Sequence, residues 1–140
     1  MSDAESLDGM STVEVRTSAT AALIPTIRAV ASDLAARADF DLDAISDLRM
    51  AVDEACATLV DAAEPTSQLQ CRFLVQPERI RVHVEVRAAK PDTVLSTDTF
   101  GWRVLQTLAD EVEVLHTPAA DGRPATVGIR LDKTAGDVPR

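Results

Sequence analysis

The apolar residues of this chain change their spacing sharply at Glu64-Pro65. Before that point Ile45, Leu48, Val52, Cys56 and Leu59 recur three or four residues apart, which places them on one face of a helix. After it Leu69, Cys71, Phe73 and Val75, then Ile80, Val82, Val84 and Val86, recur every second residue, which lines one face of a strand. A chain with both periods must pack helix against sheet. Asp41 is a good N-cap ahead of the helical run and Glu64-Pro65 a stop, so the spacing predicts a helix from Asp41 to about Ala63. The turn Gln76-Pro77-Glu78-Arg79 between the two alternating runs predicts an antiparallel hairpin.

The flanking segments obey the same two periods. Thr12 to Arg16 alternates and predicts a strand. Leu23, Ile27, Val30 and Leu34 predict a helix over about 21–38, with Pro25 tolerable in its first turn. Residues 88–99 show no period and read as a loop. Val104, Leu105 and Leu108 predict a helix over Phe100 to Asp110, followed by strands over 111–115 and 125–131 joined by the turn-rich TPAADGRP. Three one-sided helices and five alternating strands can bury their apolar faces only against each other, so the fold class is a two-layer α/β sandwich. With 140 residues the chain has room for one domain, expected over 12–133, with polar tails at 1–11 and 134–140.

Composition excludes several modes of action. Net charge is −9, from 23 acidic and 14 basic residues. A sequence-independent grip on nucleic acid, which depends on Lys and Arg neutralising phosphate, is therefore not expected, nor is binding to a membrane surface. Four aromatic residues, none of them Tyr, are too few for stacking on bases. The opening MSDAESLDGMST lacks the basic and apolar regions of a signal peptide, and no apolar run approaches the length of a membrane span, so the protein is expected in the cytoplasm. Cys56 and Cys71 lack metal-ligand spacing; both lie on apolar stripes, as buried thiols or as a pair able to respond to oxidation. His83 alternates with Val82 and Val84 and so falls on the less buried side of its strand, and His116 ends a strand, so both are expected at the surface.

The chemistry concentrates on the second helix. Asp47, Ala51, Glu54, Thr58 and Asp61 fall four, three, four and three residues apart, one polar line beside the apolar stripe. Ala51, being small, leaves space for a ligand. Three readings are open: Glu54 as a general base towards a hydroxyl, Asp47 and Glu54 together holding Mg²⁺, or a solvated helix face. No Walker A, G-x-G-x-x-G or G-x-S-x-G motif is present.

The segment Asp47-Leu-Arg-Met-Ala-Val-Asp-Glu-Ala-Cys-Ala-Thr-Leu-Val60 resembles the N-box helix of the GHKL (Bergerat) ATPase fold. Phe100-Gly-Trp-Arg-Val-Leu-Gln-Thr-Leu-Ala-Asp-Glu-Val-Glu-Val114 resembles the second glycine box of that fold with its helix and the next strand. Across residues 12 to 132 the chain is most similar to RsbW/SpoIIAB-type anti-sigma factors, particularly actinobacterial ones. The resemblance implies a mixed, mostly antiparallel sheet covered on one face by three helices. It also implies a homodimer that binds a stress- or sporulation-class sigma factor and is displaced by a STAS-type anti-anti-sigma factor. Members of this family phosphorylate a serine of that antagonist with ATP and Mg²⁺.

Residue by residue, Glu54 matches the family's general base, whereas Thr58 stands where an asparagine coordinates Mg²⁺. Gly101 keeps one of the paired glycines of the second box, and Thr99 replaces the other. The first box, normally Asp-x-Gly-x-Gly, falls on Ala88-Ala-Lys-Pro-Asp92 and lacks its leading aspartate and both glycines. Losing several charge-assisted contacts at about 1.5–3 kcal/mol each predicts weak or absent ATP binding, no required cofactor and no bound metal. The resulting expectation is a sequestering protein, with an active serine kinase as the alternative.

Overall fold

The computed structural model describes residues 10–136. Most of the two expected tails lies outside the described residues, but Ser11 opens the first strand and Thr134 closes the last. The elements run β1 (Ser11–Ser18), a 3-10 turn (Ala21–Leu23), α1 (Ile24–Arg37), α2 (Leu42–Ala62), β2 (Gln68–Gln76), β3 (Arg79–Arg87), α3 (Phe100–Leu108), β4 (Glu111–Thr117) and β5 (Thr126–Thr134).

Local signals set the helix ends. Pro25 sits in the first turn of α1, where its missing N–H has no helical partner to lose. Leu23, expected on the helix stripe, falls instead in the 3-10 turn, and Ile24 is the buried residue. At the other end Asp39 has φ 62°, and the N–H groups of Asp39 and Phe40 return to the carbonyls of Ala36 and Ala35. This Schellman arrangement closes α1 and buries Phe40. Asp41 then caps α2, accepting from Ala44 N at 2.7 Å.

The strands form one sheet in the order β1-β2-β3-β5-β4. All four pairings are antiparallel, where the family resemblance implies a mixed sheet. β2 and β3 pair from Gln76 and Arg79 outwards around the two-residue turn Pro77-Glu78, with Glu78 at φ 60°. Phe73 thus faces Val82, and Cys71 faces Val84.

The three helices cover one sheet face. Phe73, Val75, Ile80, Val82, Val84, Ile129 and Leu131 from the strands meet Ile27, Leu48, Val52 and Leu59 from the helices, all essentially without exposure. Ala31, Ala35, Ala44 and Ala55 are buried as well; their small side chains allow the helix backbones to approach each other and the sheet. No described helix is long and apolar enough to cross a membrane.

Candidate functional site

Folding divides the polar line expected on α2. Ala51 is 1% exposed and part of the core, so the space for a ligand expected beside it is filled by protein. The apolar face of α2 is wide enough to take in Ala51 along with Val52 and Ala55. Asp47 is drawn to β5, its Oδ2 3.4 Å from Lys133 Nζ. Seven residues separate it from Glu54, about 10 Å along the axis, too far for the two carboxylates to share one ion directly. Among the described residues no three His, Cys, Asp or Glu side chains gather as a metal site.

Glu54, Thr58 and Gly101 are brought together. Glu54 and Thr58 lie one turn apart, and the Thr58 hydroxyl donates to Glu54 Oε2 at 3.3 Å. Gly101 comes from α3, 47 positions further along the chain. A β-carbon on Gly101 would stand 2.5 Å from Glu54 Oε2 and 3.1 Å from its Cδ. Glycine is what allows the carboxylate to lie there, and a larger residue would make it swing aside. The carboxylate sits at the amino end of α3, where the helix dipole favours negative charge.

α3 is itself held in place. Thr99, the residue that replaces a family glycine, accepts from Trp102 N at 3.0 Å as N-cap. Leu105 is buried, and Trp102 and Leu108 pack against the core. Val104, expected on the buried stripe, is only half-buried and not packed on the core, whereas Trp102, outside that stripe, packs against it.

The segment matching the first glycine box is closed by main-chain bonds. Ala88 N donates to Ala125 O and Ala89 N to Ala62 O, each at 2.9 Å. Ala88 also bridges Ala63 at the end of α2. Ala88 and Ala89 carry only methyl groups, and Leu95, further along the loop, is buried. Val94 and Phe100 on either side of Thr99 are 74% and 81% exposed.

One contact beside Glu54 had no sequence signal. Arg28 of α1 reaches Asp53 at 3.0 Å, and the other carboxylate oxygen of Asp53 is buried with no hydrogen-bond partner. Twenty-five residues separate the pair, a spacing that no local periodicity reveals. The cysteines are both fully buried. Burial, helped by Asp53, pushes the Cys56 thiol up to about 12, and burial with Cys56 nearby raises Cys71 further. Burial thus works against the thiolate that nucleophilic chemistry needs.

The helix carrying Glu54 and Thr58 thus lies on an antiparallel sheet, and α3 brings Gly101 against Glu54. The model of the histidine kinase-like ATPase domain matches residues 17–127, and the chain belongs to that family. Among curated proteins it is similar to the anti-sigma-F factor RsbW of Mycobacterium tuberculosis, in strains CDC 1551 / Oshkosh and ATCC 25618 / H37Rv. It is 36% identical to each over 120 residues, covering 85% of this chain and 68% of the relative. The resemblance drawn from the N-box and second-box segments is thus borne out. Among solved structures a histidine kinase domain from the Erythrobacter litoralis EL346 blue-light activated histidine kinase aligns with 79% of this chain and 59% of that one. Its TM-score is 0.45 at 16% identity.

Proposed function

We propose that this chain is a cytoplasmic anti-sigma factor. It binds and sequesters a stress- or sporulation-class sigma factor and releases it when a STAS-type anti-anti-sigma factor competes for the same protein. The observation that carries the reading is the 36% identity over 85% of the chain with a relative named as an anti-sigma factor. The net charge of −9 suits a partner with a basic DNA-binding surface. The exposed apolar side chains Val94 and Phe100, the latter next to Gly101 in the chain, suit contact with a protein. β1, an outer strand of the described sheet, suits pairing into a homodimer.

In this reading ATP and Mg²⁺ are not required and bind weakly, because the residues present do not fit them well. The Thr58 hydroxyl is already turned to Glu54. The place of the first box's leading aspartate holds Ala88, and the N–H groups of Ala88 and Ala89 are engaged by Ala125 and Ala62. One observation favours the alternative kinase reading: Glu54, the family's general base, is retained at the mouth of α3. A base accelerates phosphoryl transfer only when nucleotide and metal are positioned, since positioning and charge stabilisation do most of the work.

Sizing chromatography with light scattering tests the binding reading. The chain alone is expected at the mass of a dimer, and mixed with a purified stress-class sigma factor it forms a stable complex without nucleotide. Complex formation only with added ATP and Mg²⁺ would overturn the weak-site part. Failure with every sigma factor of the cell would overturn the function. Transfer of labelled phosphate from ATP to an anti-anti-sigma serine is expected to be negligible; robust labelling lost in Glu54→Ala would establish the kinase instead.

A further inference from the structure

On the helix-free face of the sheet, one row of charged and titratable residues crosses all five strands. Register places Glu14 of β1 beside Arg72 of β2, Arg72 beside His83 of β3, His83 beside Arg130 of β5, and Arg130 beside Glu113 of β4. The outer members pair: Arg72 Nη2 lies 3.4 Å from Glu14, and Arg130 is bonded to Glu113. Half-buried His83 stands at the centre with an arginine on each side.

A gap in β5 receives the imidazole. Gly128, in mid-strand and buried, has no side chain to occupy this face. A Gly128 β-carbon would stand 2.8 Å from the Val84 carbonyl oxygen, 3.2 Å from Glu85 Cβ and 3.4 Å from His83 Nε2, so with glycine there both the β3 backbone and the imidazole lie close to β5. A glycine inside a strand often marks such a close approach. We propose that His83 is a proton-operated element of this face: neutral, its ring rests over Gly128 between Arg72 and Arg130, and protonation drives it from that seat and loosens the sheet.

The charges around the ring decide the sign. Burial pushes His83 below the ordinary histidine value; Glu85 on its own strand opposes this, while Arg72 and Arg130 add to it. The other charged neighbour on β3, Arg81, is bound to Asp132. Glu14 and Glu113 are one strand further out and engaged by the two arginines. With the folded value below the unfolded one, the unfolded chain binds the extra proton. Stability is therefore full above the unfolded value and falls as pH drops through the folded one.

The test tracks the His83 ring C–H signal by NMR in the full chain from about pH 8.5 to 4.5, with His116→Gln to assign it. The midpoint is expected below the ~6.5 of a free histidine. It should rise in Arg72→Gln and in Arg130→Gln, both at partly exposed positions, and fall further in Glu85→Gln. The urea midpoint should decline between about pH 7.5 and 5.5 and lose most of that decline in His83→Gln. A titration midpoint at or above ~6.5, one unmoved by either arginine variant, or an undiminished decline in His83→Gln would each overturn the proposal.

Discussion

The two faces of the sheet are built from alternate residues of the same strands, yet they are held by different forces. On the covered face Phe73, Val82 and Ile129 are fully buried under helices, and removal of apolar surface from water stabilises them without regard to direction. On the open face Arg72, Arg81 and Arg130 remain partly exposed and each meets a carboxylate. Such pairs contribute little net stability in high dielectric, but they set local charge and fix register. The covered face therefore secures the fold, and the open face is free to be tuned. The Glu54, Thr58 and Gly101 cluster belongs to neither, since it sits in the helix layer between α2 and α3.

The largest expected effect breaks the covered face. Phe73→Ala is expected to cost about 3–5 kcal/mol, because it removes a fully buried ring facing Val82 and leaves a cavity. Urea unfolding measures it, and a loss below about 1 kcal/mol would mean that the core collapses around the gap.

An intermediate effect is expected where the open face is itself buried. The Asp132 side chain is 4% exposed, accepts from Arg81 at 2.9 and 3.2 Å, and is also bonded to Arg79. Burial alone would raise its pKa, but hydrogen bonds from Arg81 and Arg79 bring it below the usual aspartate value. Its contribution is therefore complete above the unfolded value near ~3.9 and lost as pH falls through the folded one. Asp132→Asn is expected to cost about 1–3 kcal/mol at neutral pH, because both arginines keep access to water. Acid unfolding should lose that difference, and an equal gap between the two proteins at neutral pH and in strong acid would break the assignment.

The smallest effect is expected at the exposed end of the charged row. Glu14 is held below the usual glutamate range chiefly by the hydrogen bond from Arg16, yet it is surrounded by solvent. Glu14→Gln should leave the urea midpoint within experimental scatter, with or without added salt. A clear loss at low salt that vanishes at high salt would show that the row acts as a coupled network and would narrow the difference between the two faces.

Much of the fold was legible because periodicity is a local property. Leu48, Val52, Cys56 and Leu59 announce α2, and the alternation from Leu69 to Val86 announces the hairpin, since every one of those positions is buried. The misses have a common cause. Ala51 reads as a neutral place on a polar line, yet whether a small residue faces core or cleft depends on how broadly the helix lies on the sheet. Leu23 and Val104 fit the helical period, but Ile24 and Trp102 take the inward positions because neighbouring elements fix the rotation of α1 and α3.

The sequence by itself determined the order of elements, the cap at Asp41, the two-layer class and the family, because each is written in spacings of a few residues. Only the tertiary structure decided which distant groups meet. It placed the Glu54 carboxylate against Gly101, Asp47 against Lys133, Arg28 against Asp53, and His83 between Arg72 and Arg130. These contacts join residues 25 to 86 positions apart, apart from the hairpin pair Arg72 and His83. Packing of side chains from different elements selects them, and no local pattern carries that information.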